Sequence, residues 1–305
     1  MNIGIMLGAT PDPNASLEKF IATARDVEAR GFPSLWLAHI RGHDAIIAMA
    51  LAARETTTLE VGTAVTPIQP RHPSALAQEA LTAQALANGR FTLGIGLSHQ
   101  RVIEDMLGLS YERPARTMRE YLEVLCPLLD GKEANVDGEL YRVRLGLEIN
   151  DAKKPVPIVV AALGPRMLEV AGTHAQGTCL WMTGPQTIRS HVVPLIGAAA
   201  ERAGNTPPRI VAGFPMLLTN DETAGRELIA KQLAVYGQLP SYRAMLDREG
   251  VAGPADLAVV GGENAITEHV ERIRDAGTTD LVAVLIESGD GSANRTLDFL
   301  TELNR

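Results

Sequence analysis

Short apolar runs alternate with segments of helical periodicity from one end of the chain to the other. Eight of these runs have the length and composition of buried strands, and they cover residues 3–7, 35–39, 59–65, 91–95, 158–162, 178–182, 210–218 and 281–286. After the first run, apolar residues recur at helical spacing behind Ser16, a favoured N-cap residue type, and Gly31 ends the segment. Strands that alternate with helices in this way indicate repeated βα units around a parallel sheet.

Glycines mark the points at which helical segments give way to strands. Gly89, Gly177 and Gly277 each follow a helical pattern and stand just before an apolar run. Glycine adopts the left-handed conformation without steric cost, so it is common directly after the last turn of a helix. We expect all three glycines to adopt that conformation.

Eight βα units over 305 residues predict a single domain, residues 1–305, folded as a (β/α)8 TIM barrel and completed by a helix from about Asn294. The long stretches at 96–157, which has a predicted hairpin around 136–138, and at 236–262 are interpreted as insertions after the fourth and the seventh strands. A doubly wound open sheet is the competing fold. Its usual GxGxxG motif after the first strand is missing from residues 7–10, so we prefer the barrel.

Composition and charge narrow the class of protein. The chain carries 28 Lys+Arg against 36 Asp+Glu, a formal net charge of -8. An acidic chain lacks the basic face that nucleic acid requires, and no apolar run is long enough to span a bilayer. The first residues also lack the cationic segment of a signal peptide. We therefore expect a cytoplasmic protein that acts on a small molecule, with a homodimer as a candidate assembly.

The two cysteines, Cys126 and Cys179, lie far apart in the sequence and each stands in an apolar stretch. Neither has the charged neighbours that would stabilise a thiolate nucleophile. We expect buried free thiols, as in a reducing compartment.

The residues that follow the strands are the candidates for chemistry, because the active site of a barrel lies at the carboxyl ends of its strands. His39 ends the second strand and His99 follows the fourth. His43 has metal-ligand spacing to His39, but Gly42 interrupts the segment and no HExxH motif is present, so no metal site is predicted. Imidazole titrates near neutral pH, which makes His39 and His99 the candidate acid–base residues.

One arginine follows each of four consecutive strands: Arg41, Arg71, Arg101 and Arg166. These arginines form either a solvated rim that balances helix carboxylates or a binding surface for an anionic ligand. Gly164 and Pro165 favour the second interpretation, because a helix that begins there leaves backbone N–H groups free to bind a phosphate.

Two further residue types bear on a ligand. Gly94 and Gly96 near the end of the fourth strand are interpreted as room for a flat ligand to approach the backbone. Trp36 is expected to pack beneath the helices, whereas Trp181, near the end of its strand, is a candidate to line the site.

Several motifs together resemble the luciferase-like flavin and deazaflavin oxidoreductases. They are LEVGTAVTP at 59–67, PRHP at 70–73, NGRFTLGIG at 88–96, YERP at 111–114, REYL at 119–122 and PIVVAALGPR at 157–166. The resemblance covers most of the chain. It implies a barrel in which a flavin-like ring lies against a bulge after the third strand, at a non-proline cis peptide between Ala64 and Val65.

The resemblance also implies which residues hold the cofactor. Gly96 and Leu97 would border the ring, His39 would lie beside its reactive face, and backbone amides at 162–164 would bind the phosphate. The full set of implied cofactor contacts is Ala38, His39, Ala64, Val65, Gly96, Leu97, Ser98, Ala162, Leu163, Gly164, Pro165 and Arg166.

The family uses either FMN or the deazaflavin coenzyme F420, and LGPR at 163–166 with WMTGP at 181–185 favours the F420-dependent branch. The chain departs from that branch in three places. Ala38 and His99 stand where acidic residues are often found, and Pro185 stands where members that act on sugar phosphates carry a basic residue.

We therefore expect an F420-dependent oxidoreductase that transfers a hydride between the cofactor and a small, largely apolar organic substrate. His39 and His99 are the expected catalytic residues. An FMN-dependent monooxygenase and a non-catalytic flavin-binding protein of the same fold remain as alternatives.

Overall fold

A closed barrel of parallel strands forms the centre of the computed structural model, which describes residues 1–10, 15–289 and 291–304. The strands are β1 (Asn2–Leu7), β2 (Ser34–Leu37), β3 (Glu60–Thr63), β4 (Thr66–Pro67), β5 (Phe91–Gly96), β6 (Ala134–Asp137), β7 (Arg142–Leu145), β8 (Ile158–Val160), β9 (Gly177–Trp181), β10 (Arg209–Leu218), β11 (Val259–Gly261) and β12 (Asp280–Leu285). Pairing runs through β1, β2, β3, β5, β8, β9, β10 and β12, and β12 pairs with β1, which closes the sheet.

Helices surround this barrel. They are α1 (Leu17–Ala29), α2 (Ala45–Arg54), α3 (Pro73–Leu86), α4 (Pro114–Leu129), α5 (Pro165–His174), α6 (Pro185–Thr187), α7 (Val193–Ala203), α8 (Glu222–Gln232), α9 (Pro240–Glu249), α10 (Glu263–Asp275) and α11 (Ser292–Leu303). A π-helical turn at Ile188–Val192 joins α6 to α7, and a 3-10 turn at Ala234–Gln238 precedes α9. The predicted (β/α)8 TIM barrel is confirmed.

All eight predicted strands are present. The third predicted run is divided, because β3 ends at Thr63 and pairing with β5 resumes only at Thr66 in β4. The sequence pattern does not predict β11, which pairs with the end of β10. The two longest connections follow β5 and β10; the first contains α4 and the β6–β7 hairpin, and the second contains α8, α9 and α10.

Most of the residues predicted to begin or end a helix do so in the structure. Ser16 caps α1 by accepting a hydrogen bond from the Lys19 backbone N–H at 3.1 Å, and Gly89 and Gly277 have the expected positive φ. The prediction for Gly177 is wrong, because this residue does not have a positive φ and begins β9. A Cβ there would lie 2.1 Å from the Arg209 carbonyl oxygen, so close packing of β9 on β10 requires the glycine.

Trp36 lies inside the barrel. Alternation along β2 turns Leu35 towards the helices and Trp36 towards the interior, where it packs with residues such as Met6. A Cβ on Gly62 of the neighbouring strand would lie 2.5 Å from the indole ring. The expectation that Trp36 packs beneath the helices is therefore wrong.

The amino end of the barrel is filled by an ion network centred on Arg209. Its guanidinium donates to both Glu60 oxygens at 2.6 and 3.0 Å and to both Asp280 oxygens at 2.8 and 2.9 Å, and it lies 5.4 Å from the centre of the Trp36 ring. Burial raises the pKa of Asp280, but the hydrogen bonds and charge of Arg209 outweigh it, so the net pKa is lowered. This end of the barrel is closed by paired charges.

Both cysteines are free thiols, as predicted; Cys179 is buried and Cys126 is half-buried. Burial raises the pKa of Cys126 and of Cys179 to about 12, so neither is a thiolate at neutral pH. Among residues 1–10, 15–289 and 291–304, the helices are all too short or too polar to cross a bilayer.

Candidate active site at the carboxyl end of the barrel

A bulge interrupts the barrel between β3 and β4, and the Ala64–Val65 peptide within it is cis, as the sequence motif implied. The Thr63 hydroxyl donates to the Gly94 carbonyl at 2.7 Å and accepts from the Gly94 N–H at 2.9 Å, which ties the bulge to β5. Val65 and Ala64 are half-buried and pack on the apolar cluster inside the barrel. The bulge therefore presents an apolar surface at the mouth of the barrel.

The two glycines of β5 make room for this bulge. A Cβ at Gly94 would lie 1.8 Å from the Thr63 carbonyl oxygen, and one at Gly96 would lie 2.6 Å from Val65 Cγ2. The space beside these glycines is thus occupied by the chain itself. The interpretation of Gly94 and Gly96 as room for a ligand is wrong, although Gly96 seats the Val65 side chain that the resemblance places at the ring.

The loop after β4 is fastened to the end of β5. The Ile68 N–H donates to the Gly96 carbonyl at 3.1 Å, and Gln69 Nε2 donates to the Leu97 carbonyl at 2.8 Å. Ser98, two residues beyond β5, has a φ of 57°, which is uncommon for a residue with a side chain. The predicted residues Gly96, Leu97 and Ser98 therefore lie on one segment next to the bulge loop.

His39 follows β2 and is held by the start of α2. Its Nδ1 accepts a hydrogen bond from the Ala45 backbone N–H at 3.3 Å, so the neutral ring carries its proton on Nε2. Burial lowers the pKa of His39; the charge of Asp44 raises it and that of Arg71 lowers it further, and the net shift is downward. His39 is thus a neutral donor through Nε2 at neutral pH.

Arg71 is engaged within the protein. Its guanidinium donates to Asp44 Oδ2 at 2.6 Å and to Glu79 Oε2 at 3.1 Å, and Asp44 also caps α2. This pairing takes Arg71 out of the predicted anion-binding rim, because its charge is balanced by two carboxylates. Arg41, Arg101 and Arg166 are exposed and form no salt bridge with a residue of the described ranges.

His99 belongs to a group of aromatic rings that we call the aromatic cluster: His99, Trp181, Tyr236 and Tyr242. The rings pack edge to face, with His99 5.8 Å from Tyr242 and Trp181 6.1 Å from Tyr236 between ring centres. Burial lowers the pKa of His99 and raises that of Tyr242, which favours the neutral form of both groups. Trp181 ends β9 and packs on Tyr236, and its place in the lining of a ligand site stays a prediction.

Buried polar atoms without a partner gather at the same end of the barrel. Thr66 Oγ1, Gln69 Oε1 and Thr183 Oγ1 make no hydrogen bond with any residue of the described part of the chain. Thr66 and Gln69 follow the bulge, while Thr183 follows the end of β9. Buried polar groups are nearly always paired, so these atoms indicate a place for a polar ligand or ordered water.

The predicted phosphate loop begins α5. Gly164 is the N-cap and Pro165 the first helical residue, and both are exposed together with Arg166. The backbone N–H groups of Leu163, Gly164 and Arg166 donate to no residue that the structure describes. Buried His191 fixes the loop through its Nε2, which lies 2.8 Å from the Leu163 carbonyl oxygen. This is the arrangement in which a helix end binds an anion.

Residues 1–286 match the family described as luciferase-like monooxygenase. The chain belongs to this family. It is 29% identical over 86% of its length to an F420-dependent glucose-6-phosphate dehydrogenase of Kineococcus radiotolerans, of which the match covers 81%. The barrel also superposes on two solved structures with low sequence identity, which supports the fold alone.

The first is an F420-dependent secondary alcohol dehydrogenase in complex with an F420–acetone adduct; its TM-score is 0.82 at 17% identity, over 100% of this chain and 99% of that one. The second is the FMN-bound oxygenating component of a 3,6-diketocamphane monooxygenase from Pseudomonas putida. Its TM-score is 0.74 at 16% identity, over 99% of this chain and 97% of that one. The fold of the family thus accompanies both cofactors.

Sequence reasoning missed several residues of this site. Tyr236 and Tyr242 stand in the long connection after β10, and only their aromatic character in a chain with 4% aromatic residues could have drawn attention to them. Thr66 and Gln69 lie inside a recognised motif, but their lack of partners is visible only in three dimensions. Ala38 and Ala162 lie just beyond β2 and β8, and their contacts with the cofactor stay predictions. The described residues contain no cluster of three potential metal ligands.

Proposed function

We propose that the protein is an F420-dependent oxidoreductase that transfers a hydride between the deazaflavin ring and a small organic substrate. The observation that carries this proposal is the pair of unpartnered buried atoms on Thr66 and Gln69, which directly follow the apolar surface of Val65. A flat heterocycle with polar edges suits this combination of an apolar face and free hydrogen-bonding groups. The F420-dependent relative supports the choice of deazaflavin.

The residues present fit such a cofactor in two parts. Ala38, His39, Ala64, Val65, Gly96, Leu97 and Ser98 would surround the ring at the mouth of the barrel. Ala162, Leu163, Gly164, Pro165 and Arg166 would hold the phosphate through backbone N–H groups and the exposed guanidinium. When bound, the deazaflavin would supply a ring carbon that accepts or gives up a hydride.

His39 would stabilise developing negative charge on the substrate. Its Nδ1 is engaged by the Ala45 N–H, so Nε2–H is the group that remains free to donate. A neutral imidazole that is fixed by the start of a helix acts as a hydrogen-bond donor and not as a general acid. His99, also favoured in its neutral form by burial, is the second candidate for acid–base work because it lies in the aromatic cluster beside Tyr236 and Tyr242.

The alternative is an FMN-dependent monooxygenase, which the FMN-bound structure with the same fold favours. Titration of the purified protein with F420 and with FMN, followed by cofactor fluorescence, separates the two cofactors. We expect saturable binding of F420 and no comparable binding of FMN. Tight FMN binding with oxygen consumption would replace the proposal by the monooxygenase, and cofactor binding without exchange of reducing equivalents would indicate a non-catalytic binder.

A further inference from the structure

Helix α9 brings two different side chains to the carboxyl end of the barrel. Tyr242 and Glu249 are seven residues apart, which is two helical turns, so both lie on one face of α9. Tyr242 packs 5.1 Å from Tyr236 and 5.8 Å from His99 between ring centres. Glu249 contacts α6 instead.

Glu249 occupies the start of the helical segment formed by α6, the π-helical turn and α7. Its Oε1 accepts the Gln186 N–H at 3.1 Å, and its Oε2 accepts the Thr187 N–H at 2.7 Å. A Cβ at Gly184 would lie 2.1 Å from Glu249 Cδ, so the glycine is needed for the carboxylate to fit. A helix start attracts anions, and here a carboxylate of the chain has taken that position and repels a second anion.

The end of β9 links this carboxylate to the aromatic cluster, because Trp181 and Thr183 come just before Gly184, which packs against Glu249. The titratable rings of the cluster favour their neutral forms. Burial is the cause that lowers the pKa of His99, and burial also raises the pKa of Tyr236 and of Tyr242. One polar atom beyond the end of β9, Thr183 Oγ1, is buried and unpartnered within the described residues. The surface therefore offers ring edges and neutral hydrogen-bonding groups.

We propose that the aromatic cluster is a substrate subsite for an uncharged, planar organic molecule with one carbonyl or hydroxyl group, and that Glu249 excludes phosphorylated and carboxylated analogues. The ring edges contact the flat body of the substrate, and the free hydroxyl of Thr183 binds its polar group. This proposal rests on the proposed function, since it names the substrate class of the same site. It also separates this chain from its relative named for a sugar phosphate.

The proposed subsite is tested by calorimetry, which measures the affinity of three matched probes at pH 7: 2-naphthol, 2-naphthoate and 2-naphthyl phosphate. Each probe is titrated into the protein with and without F420. We expect 2-naphthol to bind at least about tenfold more tightly than either anion, a difference of about 1.4 kcal/mol. Tyr242→Ala should weaken 2-naphthol about tenfold. Glu249→Gln should strengthen 2-naphthyl phosphate about tenfold and leave 2-naphthol unchanged, which also reports that α9 keeps its place.

Asp247→Asn is the matched control, because it removes the same charge from α9 at a side chain that pairs with Arg243 and not with α6. It should change none of the three affinities. Equal affinity for neutral and anionic probes, or no binding of 2-naphthol to either form of the protein, would overturn the subsite. Failure of F420 to bind, with 2-naphthol still selected by the protein alone, would count against the proposed function and not against the subsite.

Discussion

The two ends of the barrel differ in whether their buried polar groups have hydrogen-bond partners within the protein. At the amino end, Arg209 is paired with both oxygens of Glu60 and of Asp280. At the carboxyl end, Thr66, Gln69 and Thr183 keep buried polar atoms without partners in the described structure. Thr278, just before β12, is an exception at the amino end.

A satisfied network stabilises the fold, whereas unsatisfied atoms cost stability and persist where a ligand completes them. We therefore propose that the amino end of the barrel stabilises the fold and that the carboxyl end binds the ligand. Each of the following changes tests one side of that division.

The largest expected effect is on catalysis, from His39→Ala. Loss of the Nε2 donor should lower kcat about 10² to 10⁴-fold with a smaller change in F420 affinity, because the interaction strengthens as charge develops. His43→Ala, an exposed histidine on the same loop, is the control and should leave kcat unchanged. Steady-state kinetics with a substrate that the protein turns over measure this effect. An unchanged kcat for His39→Ala would show that His39 does not stabilise charge in the reaction.

The next effect is on stability, from Asp280→Asn. Removing one partner of a buried charge pair leaves Arg209 partly uncompensated, which should lower the free energy of unfolding by about 3 kcal/mol with F420 affinity unchanged. Urea unfolding measures the first quantity and titration the second. A loss of F420 affinity equal to the loss of stability would show that the two ends are not separable.

This network also sets a pH dependence. The pKa of Asp280 is lower in the folded protein than in the unfolded chain, so its contribution is present above the unfolded pKa of about 3.9 and is lost as the pH falls through the folded value. The free energy of unfolding of Asp280→Asn should therefore fall less steeply below pH 4 than that of the wild type. Parallel curves would contradict the assignment of the pairing to the folded state.

A smaller effect compares two buried threonines on neighbouring strands. Thr92 donates to Glu60 Oε1 at 2.8 Å, whereas Thr66 has no described partner. Thr92→Val should lower the free energy of unfolding by about 1 kcal/mol, while Thr66→Val should be neutral or stabilising and should weaken F420 binding. Equal destabilisation by both substitutions would mean that Thr66 has a partner in solution that belongs to the fold.

The smallest effect is that of salt on cofactor affinity. Arg41, Arg101 and Arg166 are exposed, so their attraction for an anionic cofactor is screened over about 10 Å at 0.1 M salt. The dissociation constant of F420 should rise several-fold between low and moderate salt, and less so in Arg166→Gln. Because Arg71 is already paired, it should contribute little to the salt dependence. Salt-independent binding would show that the exposed arginines do not attract the cofactor.

The fold was predictable because its signals are local: apolar runs, caps and glycines repeat with every βα unit. The cis peptide at Ala64–Val65 was predictable only through a motif resemblance. Gly94 and Gly96 were misinterpreted because a missing Cβ does not reveal what fills its space. The pairing of Arg71 with Asp44 and the approach of Tyr242 to His99 join residues distant in sequence, which periodicity does not report.

We propose that a deazaflavin completes the carboxyl end of the barrel. A crystal structure of the protein with F420 tests it most directly. We predict that the ring lies on the Ala64–Val65 bulge, that at least one of Thr66 and Gln69 gains a hydrogen bond to it, and that the phosphate lies at the start of α5. A ring bound elsewhere, with these atoms still unpartnered, would contradict the proposed cofactor site.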